Sequence, residues 1–384
     1  MKKLKKIILS FACLFLLTGC NVYVYNFDNN QVQNTTKEDY SSDTENNTSS
    51  VIITNKPNYN GSVNFSSTIP SQHVSWNNVY DKVKSSVVTI RNISNGTSVS
   101  TGSGVFFTKD NEDAYIFTNA HVVEGATSIE VLLHNGILVE GKIVGYDKTE
   151  DVAVVKIAKR DDYTIATLRH TNTLKIGEEV LAIGSPLGEK YSETATSGII
   201  SNLNISLAPQ DSEVNLYLIQ IDAALNPGNS GGPLFDNGGN LIGINTIKLV
   251  TSGNVSNIES FNYAIPISHF YLVADYLLKG NPYFRPFLSI TVEDIRSFNF
   301  NKRKQYGIEI DHGLFIKIID KISPLYNKAE QHQIITHIEG IKVYKASDFS
   351  VELLKYAPGD TITLTICNGS GANSQNIQIT LIQR

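Results

Sequence analysis

Three short segments of this chain carry the residue types that together can cleave an acyl bond. In Asn226-Pro227-Gly228-Asn229-Ser230-Gly231-Gly232-Pro233-Leu234 a serine stands among glycines, after a proline and before an apolar run. Glycines on both sides permit a sharp turn that a β-carbon would obstruct. Such a turn lifts the Ser230 hydroxyl out of the surface and aims the Gly228 and Ser230 amides at one point, with Asn229 as a further donor. A tetrahedral oxyanion would sit there, so one loop can supply both nucleophile and oxyanion hole. The same residues also fit a Gly-rich hairpin with an incidental serine.

Two other segments bear on that choice. Thr118-Asn119-Ala120-His121-Val122-Val123 follows the β-like run Ala114 to Phe117, which puts His121 where a strand ends. Thr149-Glu150-Asp151 leads into Val152-Ala153-Val154-Val155-Lys156-Ile157, which sets Asp151 at the head of a buried strand. A buried carboxylate is costly unless a partner satisfies it, and an imidazole N–H is one such partner. Read singly, His121 is a polar residue at a sheet edge and Asp151 a turn residue. Read together, the order His, Asp, Ser is that of the chymotrypsin-type triad, the best-known case of this chemistry. His121 would be general base and then general acid, Asp151 its orienting partner, and Ser230 the nucleophile.

These segments, with Gly102-Ser103-Gly104-Val105, Gly184-Ser185-Pro186-Leu187-Gly188, Thr196 to Ser201 and Leu241 to Thr246, cover roughly residues 79–280. Over that span the chain resembles the HtrA/DegP family of trypsin-like serine proteases. The resemblance implies a mostly β fold, a chymotrypsin-like double β-barrel followed by a PDZ-like α+β domain. His121 and Asp151 would lie on the first barrel and Ser230 on the second. It also implies endopeptidase action on unfolded or damaged exported polypeptides, without a cofactor or metal. The resemblance places Leu225, Asn245, Thr246 and Lys248 around the pocket for the residue before the scissile bond. An apolar Leu225 there favours Val, Ala, Ile or Leu, although Lys248 puts a cation near that wall. Digestive proteases of this fold carry aspartate at the Asn229 position, where it pairs with a newly cut amino terminus. Asn229 argues against that activation and for regulation by loops and oligomerisation. A homotrimer or larger homo-oligomer is implied, with Trp76 and Tyr80 as contacts. A peptide-binding holdase or surface adhesin with a dormant triad is the alternative.

The elements that would position these residues are short strands: Val87 to Ile90, Val105 to Thr108, Ile129 to Leu133, Ile143 to Gly145 and Val152 to Ile157, then Val180 to Ile183, Ala195 to Ile200, Tyr217 to Ile221 and Leu241 to Ile247. Asn95-Gly96 and Asn135-Gly136 mark turns between them. Many short strands with regular turns fit barrels or sandwiches. A short helix is expected at Val79 to Lys84. A second, Ile267 to Leu278, has helical apolar spacing, ends at Gly280 and is expected to pack on the second barrel. Residues 284–384 resemble a PDZ domain, with Phe287, Leu288, Ser289 and Ile290 where a peptide carboxylate would be held. Ser289 replaces a usual glycine there, and a small α+β domain without peptide affinity also fits.

The amino terminus reads Met1-Lys2-Lys3-Leu4-Lys5-Lys6, then an apolar run from Ile7 to Leu17 and Leu17-Thr18-Gly19-Cys20. That pattern is a secretory signal, and its end resembles a bacterial lipobox. Residues 1–19 would be removed and Cys20 acylated, anchoring the protein to the extracytoplasmic face of the cell membrane. An uncleaved membrane anchor is the competing reading, but the run is short for a bilayer. Residues 20–75 are rich in Asn, Ser and Thr and are expected to form a flexible tether, with the protease domain at 76–280. As a coil it would hold the protease roughly 40 Å from the membrane. With Cys13 cleaved and Cys20 acylated, Cys367 is the one thiol left, so no internal disulfide can form. Loss of four lysines leaves 28 basic against 37 acidic residues, which disfavours nucleic acid as a partner.

Overall fold

A computed structural model describes residues 51–53, 59–66, 73–185, 194–207, 215–246 and 261–383. These residues divide into two compact units, one of residues up to 286 with 350–358 and 383, the other of residues 287–349 and 359–382.

The first unit opens with β1 (Val51–Ile53), β2 (Phe65–Ser66) and α1 (Trp76–Val83). It continues through β3 (Val87–Ser94), β4 (Thr97–Lys109), β5 (Asp113–Thr118), α2 (Ala120–Val123), β6 (Ser128–Leu133), β7 (Leu138–Asp147) and β8 (Val152–Ala158). Then come β9 (Thr167–Arg169), β10 (Glu179–Gly184), β11 (Thr194–Leu207), β12 (Leu216–Ile221), β13 (Pro233–Asp236), β14 (Asn240–Thr246), β15 (Asn262–Pro266) and α3 (Ile267–Leu278). Hydrogen bonding in the order β7-β6-β3-β4-β5-β8, closed by a β7–β8 pairing, makes one six-stranded barrel. The order β13-β10-β11-β12-β15-β14, closed by β13–β14, makes the second. The architecture is therefore a mostly β double barrel. Closure removes the free edges that a short-stranded sheet would otherwise expose. The Asn95-Gly96 turn joins β3 to β4 with φ of +50° and +79°, the left-handed pair that a two-residue hairpin needs.

One apolar cluster binds the two barrels together. Phe107, Tyr115, Phe117 and Val154 come from the first, Leu181, Leu218, Phe235 and Ile244 from the second, all buried. Helix α3 contributes Ile267, Phe270, Val273, Ala274, Leu277 and Leu278 to this same cluster, and Phe270 meets Phe117 edge-on at 5.0 Å. The helix therefore packs on both barrels, not on the second alone. Its stripe is wide enough to cover the seam. Gly280, at φ +71°, follows the helix end as expected.

Part of the expected tether is ordered. β1 pairs antiparallel with β7, and β2 pairs parallel with β9. Phe65 stacks on His170 at 4.2 Å, and Tyr59 lies edge-on to Tyr115 at 5.1 Å. The few large apolar side chains of an otherwise polar stretch are what fasten it. Residues 54–58 and 67–72 of that stretch, and residues 1–50, lie outside the described residues.

The second unit is an α+β domain. Its sheet runs in the order Ile290–Asp294, Leu314–Ile319, Ile334–Ile338, Thr361–Cys367, Gln375–Thr380, so Ile290–Asp294 is an edge strand. The helix Ala346–Leu353 begins beside that edge, where the Ala346 amide donates to Asp294 Oδ1 at 2.7 Å. Cys367 is a free, buried thiol whose pKa burial pushes up.

The turn between β7 and β8 is held from outside the barrel by buried charge. Glu150 receives the Arg285 guanidinium through Nε and through Nη2 at 2.6 Å, and His269 Nε2 lies 2.8 Å from its Oε2. Burial alone would raise the Glu150 pKa, but the Arg285 charge, followed by His269, holds it well below the usual carboxylate range. Asp147, on the same turn, forms no ion pair among the described residues. Burial and then the Glu150 charge push its pKa up to about 7. Between about pH 4, the ordinary Asp range, and pH 7 the folded state therefore holds the extra proton, and stability falls as pH rises. In Asp147→Asn the amide oxygen can still accept from the Thr149 and Glu150 amides. Urea titrations should show the variant equal to wild type near pH 4. At pH 8 it should be more stable by on the order of a few kcal/mol. An identical pH dependence for the two proteins would contradict this assignment.

Candidate active site

Asp151 sits at the end of a tight turn that its own sequence builds. Asp147 Oδ1 accepts from the amides of Thr149 and Glu150, at 2.8 and 3.1 Å, which folds the backbone back on itself. Asp151 then takes φ +55°, a left-handed conformation that Asp adopts more readily than most residues. The carboxylate is buried and aimed across the barrel end, with its side chain only 3% exposed.

His121 lies on α2, a single turn that follows β5. The Asn119 carboxamide donates to the Asp151 carbonyl at 3.0 Å, docking the start of that turn on the β7–β8 connection. The His121 backbone amide donates to Asp151 Oδ1 at 3.2 Å, and its ring Nδ1 lies 2.8 and 3.0 Å from the two carboxylate oxygens. An ionised carboxylate only accepts, so Nδ1 carries the proton and Nε2 keeps its lone pair. The ring is 24% exposed, which leaves it accessible at its outer face. From the second barrel, Thr246 Oγ1 donates to Asp151 Oδ2 at 3.1 Å.

Ser230 lies on the loop between β12 and β13. Gly228 and Gly231 take φ of +103° and +83°, which explains the glycine pattern around the serine. A β-carbon on Gly231 would fall 2.3 Å from Thr118 Oγ1 and 3.2 Å from the Asn119 amide. Its absence lets the serine loop lie directly against the segment that carries His121. Gly102 is a second such contact, since a β-carbon there would meet Val122 at 2.6 Å and the Ser230 carbonyl at 3.1 Å. The sequence motifs of the two barrels thus meet at one place.

The other expected site residues have these surroundings. The Asn229 amide donates to the Asn226 carbonyl at 2.9 Å inside the turn. Asn245 is fully buried and bonded to the serine loop. Its backbone amide donates to the Gly232 carbonyl, its own carbonyl accepts from the Gly231 amide, and its carboxamide donates to the Pro233 carbonyl. Thr246 is likewise buried, and its side chain serves Asp151. Leu225 is partly buried against the second barrel's interior, and Lys248 and Cys20 lie outside the described residues. Trp76 and Tyr80 are partly buried against the core.

In the second unit Ser289 has φ +48°, the conformation for which glycine is usual, and its hydroxyl donates to Asp320 Oδ2 at 2.7 Å. Leu288 is buried, Phe287 is half-buried, and Ile290 begins the edge strand. Sequence reasoning missed Ser103, whose bonds reach both sides of the serine loop, and the Glu150–Arg285 pair. Two glycines flanking Ser103 within a strand were the available signal, because they mark a close backbone approach.

Residues 102–244 match the trypsin-like peptidase domain family. The chain is 36% identical to the serine protease Do-like HtrB of Bacillus subtilis (strain 168), over 72% of this chain and 62% of the relative. It is 32% identical to the serine protease Do-like HtrA of Lactococcus lactis subsp. lactis (strain IL1403), over 73% of this chain and 70% of that protein. The chain thus spans less than two thirds of the length of the Bacillus relative. Among solved structures, an HtrA-type protease AlgW with tripeptide superposes with a TM-score of 0.62 at 26% identity, covering 81% of this chain and 98% of that one. Matching the Lactococcus protein at this identity over more than two thirds of its length, and carrying a trypsin-like peptidase domain, the chain belongs to the HtrA family of Do-like serine proteases.

Proposed function

We propose that this protein is a serine endopeptidase that degrades unfolded or damaged exported proteins through an acyl-enzyme. The observation that carries the reading is the Asp151 carboxylate, which receives the His121 ring from one barrel and the Thr246 hydroxyl from the other. His121 Nε2 takes the Ser230 proton as the hydroxyl attacks, then gives it to the leaving amine. Asp151 keeps the imidazole in the productive tautomer and stabilises the imidazolium. The amides of Gly228 and Ser230 receive the oxyanion. Leu225 contributes an apolar wall to the pocket that precedes the cut. Removing the nucleophile of such a unit costs on the order of 10⁶ in turnover. Ser230→Ala should therefore leave casein intact while melting like wild type. The wild-type fragments should end in Val, Ala, Ile or Leu. Equal casein loss with both proteins, or fragments ending mainly in Lys or Arg, would refute the respective parts.

In this reading residues 76–280 are the protease domain and 284–384 a PDZ-like domain that captures the C-terminus of a polypeptide. The free edge of Ile290–Asp294, beside the start of the helix Ala346–Leu353, offers a place where an extended peptide can add as a strand. The left-handed Ser289 shapes the Phe287-Leu288-Ser289-Ile290 loop that would hold its carboxylate. A fluorescent peptide with a hydrophobic C-terminus should bind the full chain and lose binding when its carboxylate is amidated. Equal binding of both peptides would remove this role.

The homologue names include a periplasmic DegP-like endoprotease, which supports an extracytoplasmic setting. Among the described residues no helix is long and apolar enough to cross a membrane. Attachment is assigned to acylated Cys20, and assembly to a homotrimer with Trp76 and Tyr80 near its contacts. Palmitate incorporation that persists in Cys20→Ser would exclude this anchor. A monomeric mass in solution would exclude the trimer.

A further inference from the structure

The serine loop must be held in register by something, because its amides work only if they point together. In the digestive proteases of this fold an aspartate paired with an amino terminus supplies that hold. Here Asn229 occupies that place, is 1% exposed, and has no hydrogen-bond partner for Oδ1 or Nδ2 among the described residues. Its side chain packs against bare Gly184, where a β-carbon would lie 2.7 Å from its Oδ1. The constraint on the loop must therefore come from elsewhere.

We propose that Ser103 of the first barrel is the positioning residue that fixes the oxyanion loop of the second. Ser103 is fully buried on β4. Its hydroxyl donates to the Gly228 carbonyl at 2.7 Å, and its backbone amide donates to the Ser230 carbonyl at 2.8 Å. One residue thus grips the loop on both sides of Asn229. The direction of the hydroxyl is itself fixed. Ser185, at the end of β10, donates its amide to Ser103 Oγ at 2.9 Å, so the hydroxyl proton is committed to Gly228. The Ser103 carbonyl accepts from Thr118 Oγ1 at 2.8 Å, three residues before His121. The same residue therefore holds the nucleophile loop in a fixed relation to the segment carrying the base. Without the hydroxyl the Gly228 carbonyl loses this donor, and the Gly228–Asn229 peptide keeps only the bond from the Asn229 amide to the Asn226 carbonyl among the described residues. That peptide joins the two that carry the Gly228 and Ser230 amides, so loosening it lets those amides drift out of convergence.

This inference rests on the reading of Ser230 as nucleophile and of those two amides as the oxyanion hole. The test compares full-length wild type, Ser103→Ala, Ser103→Cys and Ser230→Ala on a chromogenic peptide across pH. Ser103→Ala should lower kcat by about 10- to 100-fold, less than the roughly 10²- to 10³-fold cost of removing an oxyanion donor outright, with KM within about threefold. The acid limb of its kcat/KM profile should match wild type, because the His121–Asp151 pair is untouched. Ser103→Cys, which keeps the volume and a weak donor, should recover part of the loss. A Ser103→Ala kcat within about twofold of wild type would overturn the proposal. So would a loss confined to KM, or one accompanied by a shifted acid limb. Should Ser103→Ala fail to fold, Ser103→Cys decides: intermediate turnover supports the clamp and wild-type turnover removes it. Wild type no more active than Ser230→Ala would instead sink the protease reading itself.

Discussion

A single carboxylate ties the candidate active site together. Asp151 is buried, and among the described residues its carboxylate accepts from both barrels. The His121 ring and backbone amide approach from the one-turn helix after β5, and the Thr246 hydroxyl from the last residue of β14. A buried carboxylate left unsatisfied is costly, so each donor is held by the penalty of its absence. The barrels are thereby registered against each other at the point where their chemistry must meet. The apolar cluster beneath, sealed by α3, supplies adhesion without direction. The polar bonds supply direction.

The surroundings of that carboxylate are organised on the same principle. Glu150, adjacent in sequence, pairs instead with the Arg285 guanidinium and the His269 ring. Two neighbouring acids are thus separated into one that orients an imidazole and one that anchors the turn. Asp147 closes the turn from the other side and bears the electrostatic consequence, a carboxyl pushed up to about 7. On the nucleophile side, glycines do the corresponding work. Gly231 and Gly102 remove β-carbons where the two chains cross, which allows hydrogen bonds between backbones instead of contacts between side chains.

Much of this was legible in the sequence because local rules sufficed. The glycines around Ser230 announced left-handed backbone, the run after Asp151 a buried strand, and Asn95-Gly96 a tight hairpin. Helix α3 was readable from its spacing, but the surface it covers was not, since periodicity says which face is apolar and nothing about its partner. The order in Phe65 and Tyr59 was hidden by polar neighbours that dominate composition. The roles of Asn245, Thr246 and Ser103 depend on contacts between distant strands, and a single chain carries no sign of which strands will cross. The bond from the Asn229 amide to the Asn226 carbonyl within the turn is a matter of backbone direction that residue type does not encode.

The central claim is that Ser230 is activated by an imidazole held on Asp151. The direct measurement is labelling of the full-length protein with a fluorophosphonate, followed by mass spectrometry of the adduct. The account predicts one phosphonyl group per chain, located on Ser230, and its loss in His121→Ala. Failure of wild type to label, or labelling of Ser230 at an unchanged rate in His121→Ala, would contradict it.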